Sequence, residues 1–264
     1  MRLLLCLVAL AHVARGEQES YNVVHHKPWV IRAITRLFQF NEIHTDRLPS
    51  LLGVDGAKMT EALDGATMRM TEKEGRMWFS QLLAARRYLE YGSGGSTVVA
   101  AWRAMQPSLP SMTIHSVESS QEWVDQLRAD NPIIRAAEAA GKLTFRIRTL
   151  GETGAWGAPL NWSNRSIEER RAVGRAYCEA FYQCRYDVIL IDGRFRGACA
   201  IHAVKLLDKH TVVFVHDYTL EGRPYKETMA SLYGVLQMQD TLAMFRHKRN
   251  STKGLYLKAL TDPT

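Results

Sequence analysis

Cysteine is scarce and badly spaced for a metal. The 264-residue chain holds four, and none of Cys6, Cys178, Cys184 and Cys199 stands in C-x-x-C spacing. The paired-thiolate pattern of a zinc ribbon or a dithiol redox site is therefore absent. Long apolar runs are missing too: the run at residues 3–11 is about half the roughly 20 residues that span a bilayer. There is no low-complexity tract and no internal repeat, which excludes solenoid and linker-dominated architectures. Dense charge of one sign is also lacking. The net charge of +7 is scattered, and its one cluster, Arg246, His247, Lys248 and Arg249, reads as a solvated turn, so no nucleic-acid partner is expected.

What is present begins at the first residue. Met1-Arg2 precedes the apolar run, and Ala14 and Gly16 put small residues where a signal peptidase needs them. This predicts a signal peptide over residues 1–16, cleaved after Gly16, with retention as an anchor as the alternative. Losing Arg2 and Arg15 lowers the net charge from +7 to +5. The sequons at Asn161, Asn164 and Asn250 agree with a glycoprotein that is secreted or held in the ER or Golgi lumen. Without Cys6 three cysteines remain. An odd number cannot all pair within one chain, and one intrachain bridge stays open with its partners unspecified.

Residues 17–70 are expected to form a helical extension. Pro28 opens an amphipathic helix through Trp29, Ile31, Ile34 and Phe38. It would pack on the main domain or cover its cleft. The domain proper is assigned to residues 71–264. Thr71 and Glu74 have capping-box spacing ahead of Met77, Trp78 and Leu82. The chain is then organised around RRYLEYGSGGSTVVAAWRAM, residues 86–105, which reads as strand, glycine-rich turn and helix. A helix starting there aims its free N–H groups at the strand tips and can cradle an anion or nucleotide-like ligand.

Alternation follows. SMTIHSVE, KLTFRIRTL, YDVILIDG and TVVFVHDY read as strands, with helices after Ser120, from Ser166 and Glu169, and over 197–207. The fold class is α/β: a Rossmann-like, doubly wound, seven-stranded and mostly parallel sheet. DTLAMFRH and GLYLKAL, joined by KRNSTK, are expected to close it as an antiparallel hairpin.

Over roughly residues 70–260 this pattern resembles the class I S-adenosylmethionine-dependent methyltransferases. LEYGSGGST is similar to that family's first motif, with an acid two positions before the first glycine. Glu118 matches the acid ending its second strand, and ILIDG its fourth-strand motif. The resemblance implies S-adenosylmethionine as cofactor, with Glu90, Gly92, Gly94 and Glu118 binding it. Residue chemistry agrees: Glu90 can meet an ammonium group, the glycines allow close backbone approach, and Glu118 can accept from two ribose hydroxyls. Trp156 in ETGAWGAP is a candidate adenine-side residue. Two other readings stay open. A nicotinamide-dinucleotide oxidoreductase would need G-x-G-x-x-G, but Thr97 replaces the third glycine. A non-catalytic S-adenosylmethionine-binding protein is the other.

For chemistry, the strand ends offer Asp192, His216 and Asp217. Methyl transfer from a sulfonium needs alignment of the acceptor and, for a hydroxyl, a base. Asp192 is read as positioning the acceptor and His216 or Asp217 as taking its proton. Arg194 and Arg196 would clamp an anionic acceptor or pair with neighbouring carboxylates. Asp192 and Asp217 also resemble the ligands of metal-dependent catechol-type O-methyltransferases, although Tyr218 stands where those have Asn. The expected activity is O-methylation of a small molecule or glycan in the secretory pathway.

Overall fold

The structure is a computed structural model. It describes residues 68–107, 109–154, 157–182, 185–248, 259–261 and 263. The expectations for the signal peptide, residues 17–67, Trp156, Cys184, Asn250 and the run 254–258 lie outside the described residues.

A seven-stranded sheet of order β3-β2-β1-β4-β5-β7-β6 organises the chain. Its strands are β1 (Arg87–Tyr91), β2 (Thr113–Glu118), β3 (Leu143–Ile147), β4 (Val188–Ile191), β5 (Val212–Val215), β6 (Tyr233–Gln239) and β7 (Leu242–His247). The first five run parallel, and β7 lies antiparallel to both β5 and β6. The helices are α1 (Glu72–Leu82), α2 (Gly95–Ala104), α3 (Gln121–Asp130), α4 (Pro132–Ala139), α5 (Ile167–Cys178), α6 (Arg196–Ala203) and α7 (Lys226–Leu232).

Both capping boxes form. Thr71 Oγ1 accepts from Glu74 N at 3.3 Å while the Glu74 carboxylate accepts from Thr71 N at 2.7 Å. Ser166 and Glu169 repeat this at 3.2 and 2.8 Å. Ser120 caps α3 by accepting from Trp123 N.

Alternate strand residues feed two cores, as the two-residue side-chain period requires. Tyr88, Ile114, Val188, Leu190, Val212 and Phe214 pack on the face covered by α1, α2 and α4, where Met68 and Met70 are also buried. Leu89, Tyr91, Val117, Ile189, Ile191, Val213 and Val215 pack on the face of α5, α6 and α7. Strands clothed on both sides are continuous apolar runs, which is why VILI and VVFV are unbroken.

The closing hairpin differs from expectation. Its strands are Tyr233–Gln239 and Leu242–His247, so the partner of the LAMFRH strand precedes it. The YGVLQMQ strand hides from a periodicity reading because a bulge between Val235 and Gln237 breaks its alternation. It is also an edge strand that leaves Val235, Leu236 and Met238 about half exposed. α4 was likewise not foreseen, although Pro132 occupies the first-turn position that favours a helix start.

Candidate functional site

The parallel ladder runs one rung past the strand ends. Gly92 N donates to Val117 O, Asp192 N to Tyr91 O and His216 N to Ile191 O. Residues 92, 192 and 216 therefore line one edge of the sheet. The strand order reverses between β1 and β4, the position where open α/β sheets leave a crevice for ligands. Gly92 (φ +89°) and Gly193 meet at this point backbone to backbone: a Cβ on Gly92 would lie 2.8 Å from Gly193 Cα, and one on Gly193 would lie 2.8 Å from Gly92 N. Gly94 is different, since a Cβ there would meet nothing within 4 Å. The glycine turn thus has one residue demanded by the fold and one beside open space.

Glu90 is fully buried on the α2 face. The β1–β2 register sets it against Ser116, whose hydroxyl donates to it at 2.8 Å. Tyr88, Ser96 and Thr97 hydroxyls also donate to its carboxylate. Burial lifts its pKa to about 7 against the lowering effect of those bonds. Both oxygens are occupied, so Glu90 braces the turn from behind, and a ligand ammonium would reach it only by exchanging partners or through water.

Glu118 stands at the tip of β2. One oxygen accepts from Ser93 N and Oγ at 2.9 and 2.8 Å. The other accepts from Ser119 N and Oγ and from Ser120 N. Trp123 Nε1 donates to Ser93 O at 2.9 Å, tying the glycine turn to α3. Gly157 (φ +71°) in the loop after β3 sits close to Ser119 Oγ. Gly157 of ETGAWGAP therefore lies beside Ser119, the residue after Glu118.

The polar residues beyond β4 and β5 form one cluster. Asp192 Oδ1 accepts from His216 Nδ1 at 3.0 Å and from Arg196 Nη2 at 3.2 Å. Asp217 Oδ2 accepts from Arg196 Nη1 at 3.1 Å and from Arg223 Nη2 at 3.3 Å. Glu74, recognised in the sequence only as a capping residue, reaches in from α1. Its Oε2 lies 3.6 Å from His216 Nε2, while its Oε1 accepts from Thr241 N and Oγ1 at 2.7 Å. Two non-glycine residues here, Phe195 (φ 54°) and Asp217 (φ 55°), hold left-handed backbone, a conformation that persists only when the surroundings over-determine it.

Charge follows from this geometry. Burial alone would lower the His216 pKa, but the Asp192 bond and Glu74 outweigh it and raise it to about 10. In that charged state His216 donates from both ring nitrogens towards Asp192 and Glu74 and has no lone pair left to accept a proton. Burial would raise the Glu74 pKa, yet His216, Thr241 and Thr71 bring it down to about 2. Asp192 is likewise lowered despite its burial, by His216 and then Arg196.

Of the two expectations for Arg196, the structure has the pairing with neighbouring carboxylates. Arg196 is buried and fully engaged, donating to Gly193 O, His216 O and Asp192 O as well as to both carboxylates. It ties the β4 loop to the β5 loop. Arg194 is half-buried, and its guanidinium makes no hydrogen bond or ion pair among the described residues. It remains the cation open to a ligand.

Asp192, His216 and Asp217 bring ligand atoms within 4.8 Å of one another, close enough in space for a divalent ion. The donor set does not fit one. Three carboxylates, Glu74, Asp192 and Asp217, already face three cations, Arg196, Arg223 and protonated His216. A metal would have to displace both guanidiniums and strip His216 of its proton.

No protein-family model matches the sequence, and no curated protein does. Among solved structures, the chain is similar to a methyltransferase-like protein from Silicibacter pomeroyi DSS-3, with 27% identity and a TM-score of 0.58 over 75% of this chain and 98% of that one. More distant likenesses include an O-methyltransferase from Bacillus cereus in complex with SAH, at 19% identity and TM-score 0.40 over 64% of this chain and 77% of that one. Another is an SAH-bound methyltransferase from Podospora anserina, at 12% identity and TM-score 0.44 over 87% of this chain and all (100%) of that one. By its sheet order, its reversed β7 and the likeness to the Silicibacter protein, the chain has the Rossmann-like fold of the class I S-adenosylmethionine-dependent methyltransferases.

Proposed function

We propose that this protein is an S-adenosylmethionine-dependent methyltransferase of the secretory pathway that O-methylates a hydroxyl on a small molecule or glycan. One observation carries the reading. At the sheet's switch point an open glycine turn, with free space at Gly94, stands between Glu118 on one side and the Asp192–Asp217 cluster on the other. The first half suits a nucleoside cofactor and the second an acceptor that must lose a proton.

The residues fit the cofactor at an identifiable place. Gly94 leaves the cradle that a side chain would fill, and Glu118, whose oxygens accept from Ser93, Ser119 and Ser120, takes ribose hydroxyls by exchanging the serine hydroxyl donors for them. When bound, the cofactor supplies an electrophilic methyl group on a sulfonium. Asp192, fixed by His216 and Arg196, orients the acceptor hydroxyl. Asp217 would take the proton of that hydroxyl. His216, charged and wedged between Asp192 and Glu74, positions Asp192. Arg194 offers its guanidinium to an anionic group on the acceptor.

The compartment rests on the leader-like residues 1–16 and on Asn161 and Asn164, both exposed. No helix among the described residues is long and apolar enough to cross a membrane. Calorimetry of the full chain with S-adenosylmethionine, its demethylated product and NAD tests the assignment. Heat and thermal stabilisation are expected with the first two. Binding of NAD with no response to either of the others would overturn it.

A further inference from the structure

Cys178 and Cys199 are the two described cysteines, and the fold brings them together from opposite helices. Cys178 is the last residue of α5, and Cys199 lies in the first turn of α6. Their sulfurs are 3.2 Å apart, and both residues are fully buried. A disulfide needs its sulfurs about 2.05 Å apart, so closure asks for a shift of about 1 Å, within reach of small side-chain rotations. Cys184, six positions from Cys178, was as good a partner on spacing alone, and nothing in the sequence favoured Cys199.

The position of the pair gives it a consequence. Next to Cys178, the Tyr177 hydroxyl packs on Gly193 and accepts from Arg194 N at 3.4 Å. The Cys178 carbonyl accepts from Tyr91 Oη at 2.9 Å. Cys199 follows Arg196 by one helical turn, and its thiol lies 3.5 Å from Arg194 O. A covalent link at this place would join α5 to α6 directly beneath the loop that carries Asp192, Arg194 and Arg196.

We infer that Cys178 and Cys199 form an intrachain disulfide that staples α5 to α6 under the site loop. The oxidant is a low-molecular-weight disulfide such as glutathione disulfide. One cysteine thiolate attacks it, giving a mixed disulfide and releasing one thiolate. The second cysteine thiolate attacks the mixed disulfide, forming the Cys178–Cys199 bond and releasing the other. Two protons leave the cysteines and two electrons pass to the oxidant, which becomes two thiols. Because both sulfurs are buried and burial pushes the Cys199 thiol up, closure belongs to folding, before the site is sealed. Once closed, the bond is shielded from reductants.

The inference is independent of methyl transfer, and its test requires no substrate. The full chain is refolded from denaturant in a glutathione redox buffer, or with a phosphine reductant as control. It is then denatured, alkylated and digested for mass spectrometry. The expected result is a linked pair of peptides bearing Cys178 and Cys199, with Cys184 alkylated. Alkylation of both Cys178 and Cys199 in the oxidised sample, or a link involving Cys184, would overturn it. A 20-residue loop closed in this way should raise the midpoint of thermal unfolding by roughly 6 to 12 °C over the reduced control. The Cys178→Ala, Cys199→Ala double variant should show no difference between the two buffers. Equal midpoints for the bridged and reduced wild-type protein would refute the staple, and this comparison needs no variant to fold.

Discussion

Gly92 and Gly193 touch backbone to backbone across the β1–β4 switch point, 2.8 Å separating Gly193 Cα from the place where a Gly92 side chain would begin. Gly92 also has φ +89°, so alanine there is strained twice, by conformation and by contact. Gly92→Ala should cost roughly 2 to 4 kcal/mol in urea denaturation. Gly94→Ala meets open space and should stay within about 1 kcal/mol of wild type, yet lose at least about tenfold in S-adenosylmethionine affinity by filling the cradle, the fold-change equivalent of about 1.4 kcal/mol. If Gly94→Ala binds normally, the cofactor does not lie on this turn.

Glu118→Ala removes the carboxylate set to accept from ribose hydroxyls. Cofactor affinity should fall by the equivalent of roughly 1 to 3 kcal/mol, measured by calorimetry. Part of this loss comes from Ser93 and Ser119, which lose their acceptor. A Ser93→Ala control that retains Glu118 should therefore weaken binding less. Equal losses in the two variants would assign Glu118 to loop structure alone.

Glu90 predicts a pH effect on stability. Burial raises its pKa from 4.5 to about 7, so between those values the folded protein keeps a proton that the unfolded chain releases. Stability must therefore fall as pH rises through that window and level off above it. Glu90→Gln abolishes this contribution. The stability of the variant relative to wild type should rise by roughly 3 kcal/mol from about pH 4 to about pH 8. A pH-independent difference would mean that the four hydroxyl donors offset burial and leave Glu90 with its ordinary pKa.

For His216 the sign is the same, but the window lies higher. Its pKa is raised from 6.5 to about 10, with Asp192 and Glu74 overcoming burial. Its contribution to stability is fully present below 6.5 and is lost as pH rises through 10. Nitrogen-15 chemical shifts should show both ring nitrogens protonated at about pH 8, and Asp192→Asn should bring the titration down towards the ordinary range. An imidazole that titrates normally in the wild type would restore His216 as a candidate base.

Asp217→Asn should cut turnover on an identified acceptor by about 10²- to 10⁴-fold while leaving cofactor affinity nearly intact. Chelators should have no effect on the wild-type enzyme, because Arg196 and Arg223 already neutralise Asp217. Loss of turnover on chelation, with recovery in magnesium, would make the carboxylates metal ligands and end the base assignment.

How much of the fold could be read from the sequence depended on local signals. Thr71 with Glu74, and Ser166 with Glu169, are spaced by the geometry of one helical turn, and both boxes form as read. VILI and VVFV had to be buried on both faces, because nothing polar interrupts them. YGVLQMQ failed as a strand signal since its bulge and its edge position remove the alternation. The site was half legible: strand-end acids can be found in a string of letters, but the company they keep cannot.

The sequence by itself determined the strand–helix alternation, the glycine turn and which acids stand at strand tips, because these depend on interactions within a few residues. Only the tertiary structure decided what those acids do. It carried Glu74 from α1 to His216, set His216 between two carboxylates, and decided for Arg196 between an acceptor clamp and a partner of Asp192 and Asp217. It also brought the Cys199 sulfur to 3.2 Å from that of Cys178. Protonation and pairing follow distance and burial, and both are set when the helices dock on the sheet, after the chain has brought remote positions together.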